Sequence, residues 1–121
     1  MAKTPRQKLD QECLDLFSKV VRARDGACRN CNSTNRLQAH HIIQRTYKLS
    51  RYNPSNGIAF CSSCHFHEKV NHEKFRDMVI SVIGEKQYLD LKKKYMVQHK
   101  WTLDELKTIR DELKSELNQY L

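Results

Sequence analysis

The chain has 121 residues with 22 Lys and Arg against 14 Asp and Glu, which gives a formal net charge of +8. This length predicts a single domain over residues 1–121, and the positive charge favours a polyanionic partner such as nucleic acid. No apolar run approaches the about 18 residues of a membrane span, and no signal peptide opens the chain. We therefore expect a cytoplasmic protein that does not contact a membrane.

The first predicted element is an amphipathic helix over residues 6–24, which Gly26 ends. The apolar residues at helical spacing are Leu9, Cys13, Leu16, Phe17, Val20 and Val21. Cys13 lies on that apolar face, so it is predicted to be a buried structural thiol. Lys19, Arg22 and Arg24 lie mostly off the apolar face. These three basic side chains are predicted to contact phosphates.

Two CxxC pairs bracket a double histidine in the middle of the chain. The residues are Cys28, Cys31, His40, His41, Cys61, Cys64 and His65. Four thiolates are the ligand set of a closed, tetrahedral structural Zn²⁺. The two pairs are separated by 29 residues, whereas an ordinary zinc ribbon separates them by about 15–20. The zinc is therefore predicted to clamp a functional insertion.

The segment between the two pairs predicts a short hairpin. A strand through residues 37–39 delivers the double histidine, and Ile42 and Ile43 are predicted to continue it. Residues 58–60 predict a second strand that runs into the second CxxC pair. A helix is predicted to begin at Ser62 or Ser63, which places the third histidine in its first turn.

The three histidines supply the groups that a phosphodiester nuclease needs. Successive side chains of a strand point to opposite faces, so His40 and His41 can take different roles. One histidine, together with His65, can bind a cation that offsets charge on the phosphate. A neutral imidazole can take the proton of the attacking water. The alternative is that all three histidines only form hydrogen bonds within a zinc module.

Further basic residues lie near this motif and are candidates for nucleic-acid contact. Lys69 follows His65 by one helical turn and shares its face. The basic and aromatic residues between the predicted strands are Arg45, Tyr47, Lys48, Arg51 and Tyr52. Such interleaving can follow a nucleic-acid backbone and stack on unpaired bases, and plain loop packing is the alternative.

The rest of the chain, residues 73–121, is predicted to be helical and to serve as core and brace. Residues 1–72 carry a net charge of +7, whereas residues 73–121 carry only +1. Thr102 and Glu105 predict a capping box at the start of the last helix. The apolar stripe of that helix is Leu103, Leu106, Ile109, Leu113 and Leu117.

The run AHHI, followed by Asn56 and by CSSCH, resembles the HNH endonuclease motif in its four-cysteine zinc variety. The resemblance covers about residues 26–72 and implies an α+β protein with a ββα-metal core. It implies that His41 is the general base and that His40 and His65 hold a catalytic Mg²⁺ or Mn²⁺. It also implies that Asn56 fastens the hairpin loop and that the four cysteines hold a structural Zn²⁺.

The tail, with its Ile83-Gly84 break and its Lys100-Trp101-Thr102 segment, resembles that of the phage recombination nucleases Rap and NinG. This resemblance implies a metal-dependent endonuclease that acts on branched DNA such as Holliday junctions and D-loops. Symmetric cleavage of a four-way junction would favour a homodimer.

Two other functions compete with this interpretation. One is a zinc-dependent nucleic-acid-binding module without catalysis, which would lack the base or the second metal site. The other is a site-specific homing or restriction-type HNH endonuclease. Such enzymes usually add a dedicated recognition element, and residues 73–121 do not have the basic recognition-helix character that it requires.

Overall fold

The computed structural model describes residues 2–121, except for the side chains of residues 67–70. Five helices and two strands follow one another along the chain, as the α+β prediction requires. They are α1 (Pro5–Asp25), β1 (Leu37–His41), β2 (Gly57–Cys61), α2 (Ser62–Val70), α3 (His72–Ile83), α4 (Glu85–Tyr95) and α5 (Leu103–Asn118). A short 3-10 turn, Pro54–Asn56, precedes β2.

The bounds of α1 follow from local chemistry. Thr4 and Gln7 form a capping box at its start, and Pro5 occupies the first helical turn, where its missing N–H costs nothing. Gly26 ends the helix in the left-handed conformation with a φ of 71°, which glycine adopts without steric cost. The predicted helix and its glycine stop are confirmed.

The two strands form an antiparallel hairpin that runs from Leu37 opposite Cys61 to His41 opposite Gly57. The prediction that Ile42 and Ile43 continue β1 is wrong. Their backbone groups bond to Asn56 instead of a facing strand. The N–H of Ile42 donates to the main-chain carbonyl of Asn56, and the backbone of Ile43 bonds to the Asn56 side chain. β1 therefore stops at the double histidine.

Helix α1 packs between the hairpin and α5, with a separate set of buried side chains for each. The cluster towards α5 contains Leu9, Cys13, Leu16, Val20, Tyr52, Leu106 and Leu113. The cluster towards the hairpin contains Phe17, Val21 and Ala59. A Cβ atom at Gly57 would collide with Val21 and Phe17, so β2 needs a glycine there.

Cys13 is fully buried in the first of these clusters, as predicted. Its thiol donates to the carbonyl oxygen of Leu106 at 3.5 Å. Burial raises the pKa of the Cys13 thiol to about 11, so the group is a neutral packing element at neutral pH.

Helix α5 confirms one prediction and corrects another. Thr102 and Glu105 form the predicted capping box. Leu106 and Leu113 are buried, but Leu103 is 39% exposed, so its predicted place in the buried stripe is wrong. Leu103 is the first residue of the helix, and the buried face begins one turn later.

Helices α3 and α4 pack near the hairpin and the loop after β1. The cluster between β2 and α3 includes Ile58, Phe60, Met78 and Val79. The cluster between the loop and α4 includes Ile43, Leu91 and Tyr95. Among the described residues, no helix combines the length and the apolar character needed to cross a membrane.

Candidate metal centre and catalytic site

The four paired cysteines meet in space, although they come from two distant stretches of the chain. Their Sγ atoms all lie within 4.8 Å of one another, and those of Cys31 and Cys61 are 3.5 Å apart. Zn–S bonds of about 2.3 Å place the sulfurs of a tetrahedral site about 3.8 Å apart. The cluster therefore fits a structural Zn²⁺. Within the described part of the chain, it is the one such group of three or more His, Cys, Asp or Glu residues.

The surroundings of the four sulfurs shift the pKa values of two of the thiols in opposite directions, an arrangement that suits a bound dication. Burial would raise the pKa of Cys28, but hydrogen bonds from the backbone N–H groups of Cys31, Cys61 and Asn30 outweigh it and lower that pKa to about 6. Burial, together with the neighbouring thiols, raises the pKa of Cys64 to about 12. Four crowded thiols do not all ionise by themselves, whereas a bound Zn²⁺ stabilises four thiolates.

The segment that leads into the first CxxC pair is tied to the hairpin through Asp25, whose side chain is almost fully buried. Its carboxylate accepts a hydrogen bond from the N–H of Ala59 at 2.9 Å and pairs with Arg24 at 2.8 Å. The guanidinium of Arg24 also donates to the carbonyls of Pro54 and Gly57, both at 2.8 Å. Arg24 thus holds β2 against α1, and its predicted contact with phosphate stays a prediction.

His40 and His65 come together at the start of α2, 25 residues apart in sequence. Nδ1 of His65 contacts Nε2 of His40, and the ring centroids are 4.0 Å apart. The rings of Phe60 and Phe75 flank His40 at 5.8 and 5.2 Å. Burial, with smaller contributions from the other two histidines, lowers the pKa of His40 to about 3. His40 is therefore neutral, the form in which imidazole binds metal ions.

The ring of His41 is held from two sides. Its Nε2 lies 2.8 Å from the carbonyl oxygen of Arg51, and its ring stacks on Phe17 with centroids 4.4 Å apart. A carbonyl only accepts, so Nε2 carries the hydrogen and Nδ1 keeps a lone pair. Burial lowers the pKa of His41, and the Arg51 carbonyl opposes that effect. The contact with Arg51 therefore leaves Nδ1 as the ring nitrogen that can accept a proton.

Asn56 is fully buried and closes the loop between the strands. Its Oδ1 accepts from the N–H of Ile43 at 2.7 Å, and its Nδ2 donates to the carbonyl of Ile43 at 2.9 Å. Its main-chain carbonyl accepts from Ile42 at 2.8 Å. One side chain therefore joins the two ends of the loop that begins directly after His41.

A second network holds the Arg51 carbonyl in place. The guanidinium of Arg51 binds both carboxylate oxygens of Asp10 on α1, at 2.8 and 3.0 Å. The Tyr52 hydroxyl donates to the same carboxylate. Burial would raise the pKa of Asp10, but these hydrogen bonds and the charge of Arg51 lower it overall. The guanidinium thus braces the loop from which the carbonyl reaches His41.

The three histidines line one open cavity of about 400 Å³. Its other lining residues include Gln44, Arg45 and Thr46. We call this cavity the histidine cleft. It combines two convergent ring nitrogens, a histidine with a defined tautomer and one permanent cation.

The other basic residues predicted to bind nucleic acid do not line the histidine cleft, or their side chains are outside the described part of the chain. Lys19 and Arg22 are exposed on α1, and Lys19 lines a shallow surface with Glu12 and Asp15. Lys48 lies beside Trp101, whose Nε1–H donates to its carbonyl at 2.7 Å. The side chain of Lys69 falls outside the described residues. Contact of these residues with nucleic acid stays a prediction.

Three supporting residues have no signal in the local sequence. Phe17 was assigned only to the apolar face of α1, and Asp10 lies 41 residues from its partner Arg51. Asn30 sits between two cysteines, and its amide donates to the Sγ of Cys64 at 3.3 Å. Asn30 lies in the first CxxC pair and Cys64 in the second, and nothing in the sequence indicates that they are partners.

Fold and site together define an α+β protein with a cluster of four cysteines that could hold a metal ion. The family model described as bacteriophage lambda NinG protein matches residues 1–120. The chain belongs to the NinG family, which confirms that part of the sequence-based resemblance. None of the curated proteins and none of the solved structures matches the chain.

Proposed function

We propose that this protein is a metal-dependent DNA endonuclease of the HNH type. The observation that carries the proposal is the arrangement in the histidine cleft. His41, whose Nδ1 keeps a lone pair, lines the same cavity as His40 and His65, whose ring nitrogens meet. Metal-dependent phosphodiester hydrolysis needs at least a general base and a cation close to it.

In the proposed reaction, Nδ1 of His41 takes a proton from a water molecule as its oxygen attacks the phosphorus. The bond from phosphorus to the leaving oxygen breaks, and that oxygen takes up a proton from solvent. Arg45, exposed at the rim of the cleft, is placed to pair with a phosphate oxygen. A divalent cation on His40 and His65 would stabilise the negative charge that develops on the phosphate.

The nature of the cation follows from its ligands. Imidazole nitrogens suit first-row transition ions, whereas Mg²⁺ prefers oxygen ligands. We therefore propose that Mn²⁺ supports cleavage better than Mg²⁺. The four thiolates, in contrast, select Zn²⁺ and leave no open position for substrate.

The proposed substrate is branched DNA, as in phage recombination. Membership of the NinG family supports this choice, as does the resemblance of the tail to the Rap and NinG nucleases. The excess of positive charge in residues 1–72 suits a phosphate backbone.

The test is cleavage of matched linear, flap, D-loop and four-way-junction DNA by the zinc-loaded protein. Each DNA is incubated with Mg²⁺, with Mn²⁺ or with no added cation. We expect cleavage that needs the added cation and that favours the branched molecules. Tight binding of all four DNAs without cleavage under any condition would instead support the non-catalytic zinc module.

A further inference from the structure

We propose that a groove next to the histidine cleft seats an unpaired nucleotide beside the scissile phosphate. The groove has a volume of about 490 Å³ and lies between the loop after β1 and the helices α3 and α4. We call it the tyrosine groove because Tyr47 and Tyr88 are among its lining residues. The inference rests on the proposed endonuclease function and specifies which DNA that site takes.

The position of the groove ties it to the chemistry. His41 and Gln44 line both the tyrosine groove and the histidine cleft. A strand whose phosphate lies at His41 therefore places its neighbouring nucleotide at the mouth of the groove. The two cavities form one continuous surface along such a strand.

The walls of the groove suit a nucleobase. Tyr47 projects from the loop and Tyr88 from α4, and both side chains are half-buried. The ring of Phe75 contributes to the same lining. Aromatic rings in a groove stack on bases of any sequence, since every base has a π face. A cavity of this volume falls in the range of small-ligand sites, about 300–1,000 Å³.

The charge of the groove suits a phosphate. Arg76 and Lys92 line it, and none of its described lining residues carries a carboxylate. By contrast, a cavity beside α5 is lined by Glu112 and Glu116. The ion pair of Arg76 with Asp77 is 3.7 Å long and exposed, so exchanging it for a phosphate costs little.

The ammonium group of Lys92 also suits an anion, and it lies next to an aromatic ring of the groove. Its Nζ lies 5.7 Å from the centroid of the Tyr88 ring, which puts a positive charge next to an aromatic surface of the groove. Residues 73–121 are nearly neutral overall. Arg76 and Lys92 nevertheless place two positive charges at a groove that His41 also lines.

The shape of the groove selects an unpaired nucleotide. In a duplex, each base is covered by its stacked neighbours and by its pairing partner, so it cannot reach aromatic side chains in a concave site. A nucleotide at a branch point or in a single-stranded gap is free to do so. The groove therefore gives a physical reason for preferring DNA that is not fully paired.

The test compares two fluorescently labelled DNAs: a duplex with a short single-stranded gap and the fully paired duplex of the same sequence. Affinity is measured by fluorescence anisotropy with the zinc-loaded protein and no added Mg²⁺ or Mn²⁺. We expect the Tyr47→Ala, Tyr88→Ala double variant to lose on the order of tenfold or more in affinity for the gapped DNA. Its affinity for the paired duplex should change little, and phenylalanine at both positions should restore binding.

The two positive charges of the groove are tested by a pair of substitutions, with a second pair on the same helices as the control. Arg76→Ala with Lys92→Ala removes two positive charges from the groove, and Lys74→Ala with Lys93→Ala removes two exposed charges beside it. The groove pair should flatten the salt dependence of binding to the gapped DNA by about 1.4 in log–log slope, since each phosphate contributes about 0.7 on single strands. The control pair should change it much less.

The inference is overturned if the tyrosine variant weakens both DNAs equally, if it weakens neither, or if phenylalanine does not restore binding. Circular dichroism and zinc content establish that each variant is folded. Because the readout is binding, its failure leaves the endonuclease proposal standing. A protein that binds through the groove but cleaves no DNA would overturn only the endonuclease proposal.

Discussion

The cysteine cluster and the histidine cleft are supported by the same hairpin but differ in how the protein surrounds them. Cys61 pairs at one end of the hairpin and His41 at the other. Three of the four cysteines are buried, and the four sulfurs lie close enough together to hold one tetrahedral ion. The histidines line an open cavity of about 400 Å³, in which the nitrogens of His40 and His65 meet and the ring of His41 is separate.

This difference separates stability from chemistry. Structural zinc sites are closed, whereas catalytic sites keep a position open for water or substrate. Substitutions in the cysteine cluster should therefore cost the fold, and substitutions in the histidine cleft should cost activity. The substitutions below test this difference between the two regions.

The largest expected effect is the loss of the fold in Cys61→Ser. Structural zinc contributes about 10–16 kcal/mol of apparent binding free energy in small modules, which is comparable to the whole stability of a domain. We expect the variant to unfold or aggregate and to lose its zinc, as measured by circular dichroism and metal analysis.

Cys13→Ser is the matched control, because Cys13 is equally buried but lies outside the cluster. It should keep one zinc per chain and lose no more than about 1–3 kcal/mol of unfolding free energy. A native-like, zinc-free Cys61→Ser protein would contradict the assignment of the cluster as a structural zinc site.

The next effect is the loss of cleavage in His41→Ala. General-base catalysis contributes about 10²–10⁴ in rate, and we expect a decrease of that size in single-turnover cleavage. Zinc content and the circular dichroism spectrum should stay those of the wild type. His99→Ala, an exposed histidine outside the cleft, should cleave normally. Cleavage by His41→Ala near the wild-type rate would remove His41 from the mechanism.

Asn56→Ala should affect both regions moderately. The substitution leaves the buried N–H and carbonyl of Ile43 without their partner, which costs about 2–4 kcal/mol. Because the loop positions the Arg51 carbonyl at His41, cleavage should also fall. Urea unfolding measures the first effect, and Asn35→Ala, an exposed asparagine, should stay within about 0.5 kcal/mol of the wild type. Equal stabilities of the two variants would show that Asn56 does not fasten the loop.

The smallest effect concerns the pH dependence of stability in Asp10→Asn. Hydrogen bonds from Arg51 and Tyr52 outweigh burial and lower the pKa of Asp10. A lowered pKa in the folded state stabilises the protein above the unfolded pKa of about 3.9, and this stabilisation is lost as pH falls through the folded pKa. We expect the wild type to exceed Asp10→Asn by about 1–2 kcal/mol at neutral pH.

That difference should shrink below about pH 4, as the wild-type carboxyl becomes protonated. Asp15→Asn, an exposed position on the same helix, supplies the control and should stay within about 0.5 kcal/mol of the wild type at neutral pH. A difference that stays constant down to pH 3 would mean that ionised Asp10 does not brace the loop.

The sequence predicted those parts of the molecule that local chemistry determines. Gly26 and the capping box of Thr102 and Glu105 set helix ends as expected. The CxxC pairs indicated the metal cluster, because thiolate pairs at this spacing have few other uses outside oxidising compartments.

The parts that the sequence did not predict depend on contacts between distant segments. Ile42 and Ile43 have strong strand propensity, but the buried amide of Asn56 captures their backbone groups. The pairing of Asp10 with Arg51 and the stacking of Phe17 on His41 likewise exist only once α1 has packed on the hairpin. Periodicity along one helix carries no information on such partners.

The central claim is that the histidine cleft binds a catalytic cation and the cysteine cluster does not. The direct measurement is Mn²⁺ binding to the zinc-loaded protein, followed by electron paramagnetic resonance, in the wild type and in the His40→Ala, His65→Ala double variant. We predict that the wild type binds one Mn²⁺ besides its zinc, and that the double variant keeps the zinc but loses both the Mn²⁺ and cleavage. Equal Mn²⁺ binding and equal cleavage by the two proteins would contradict the account.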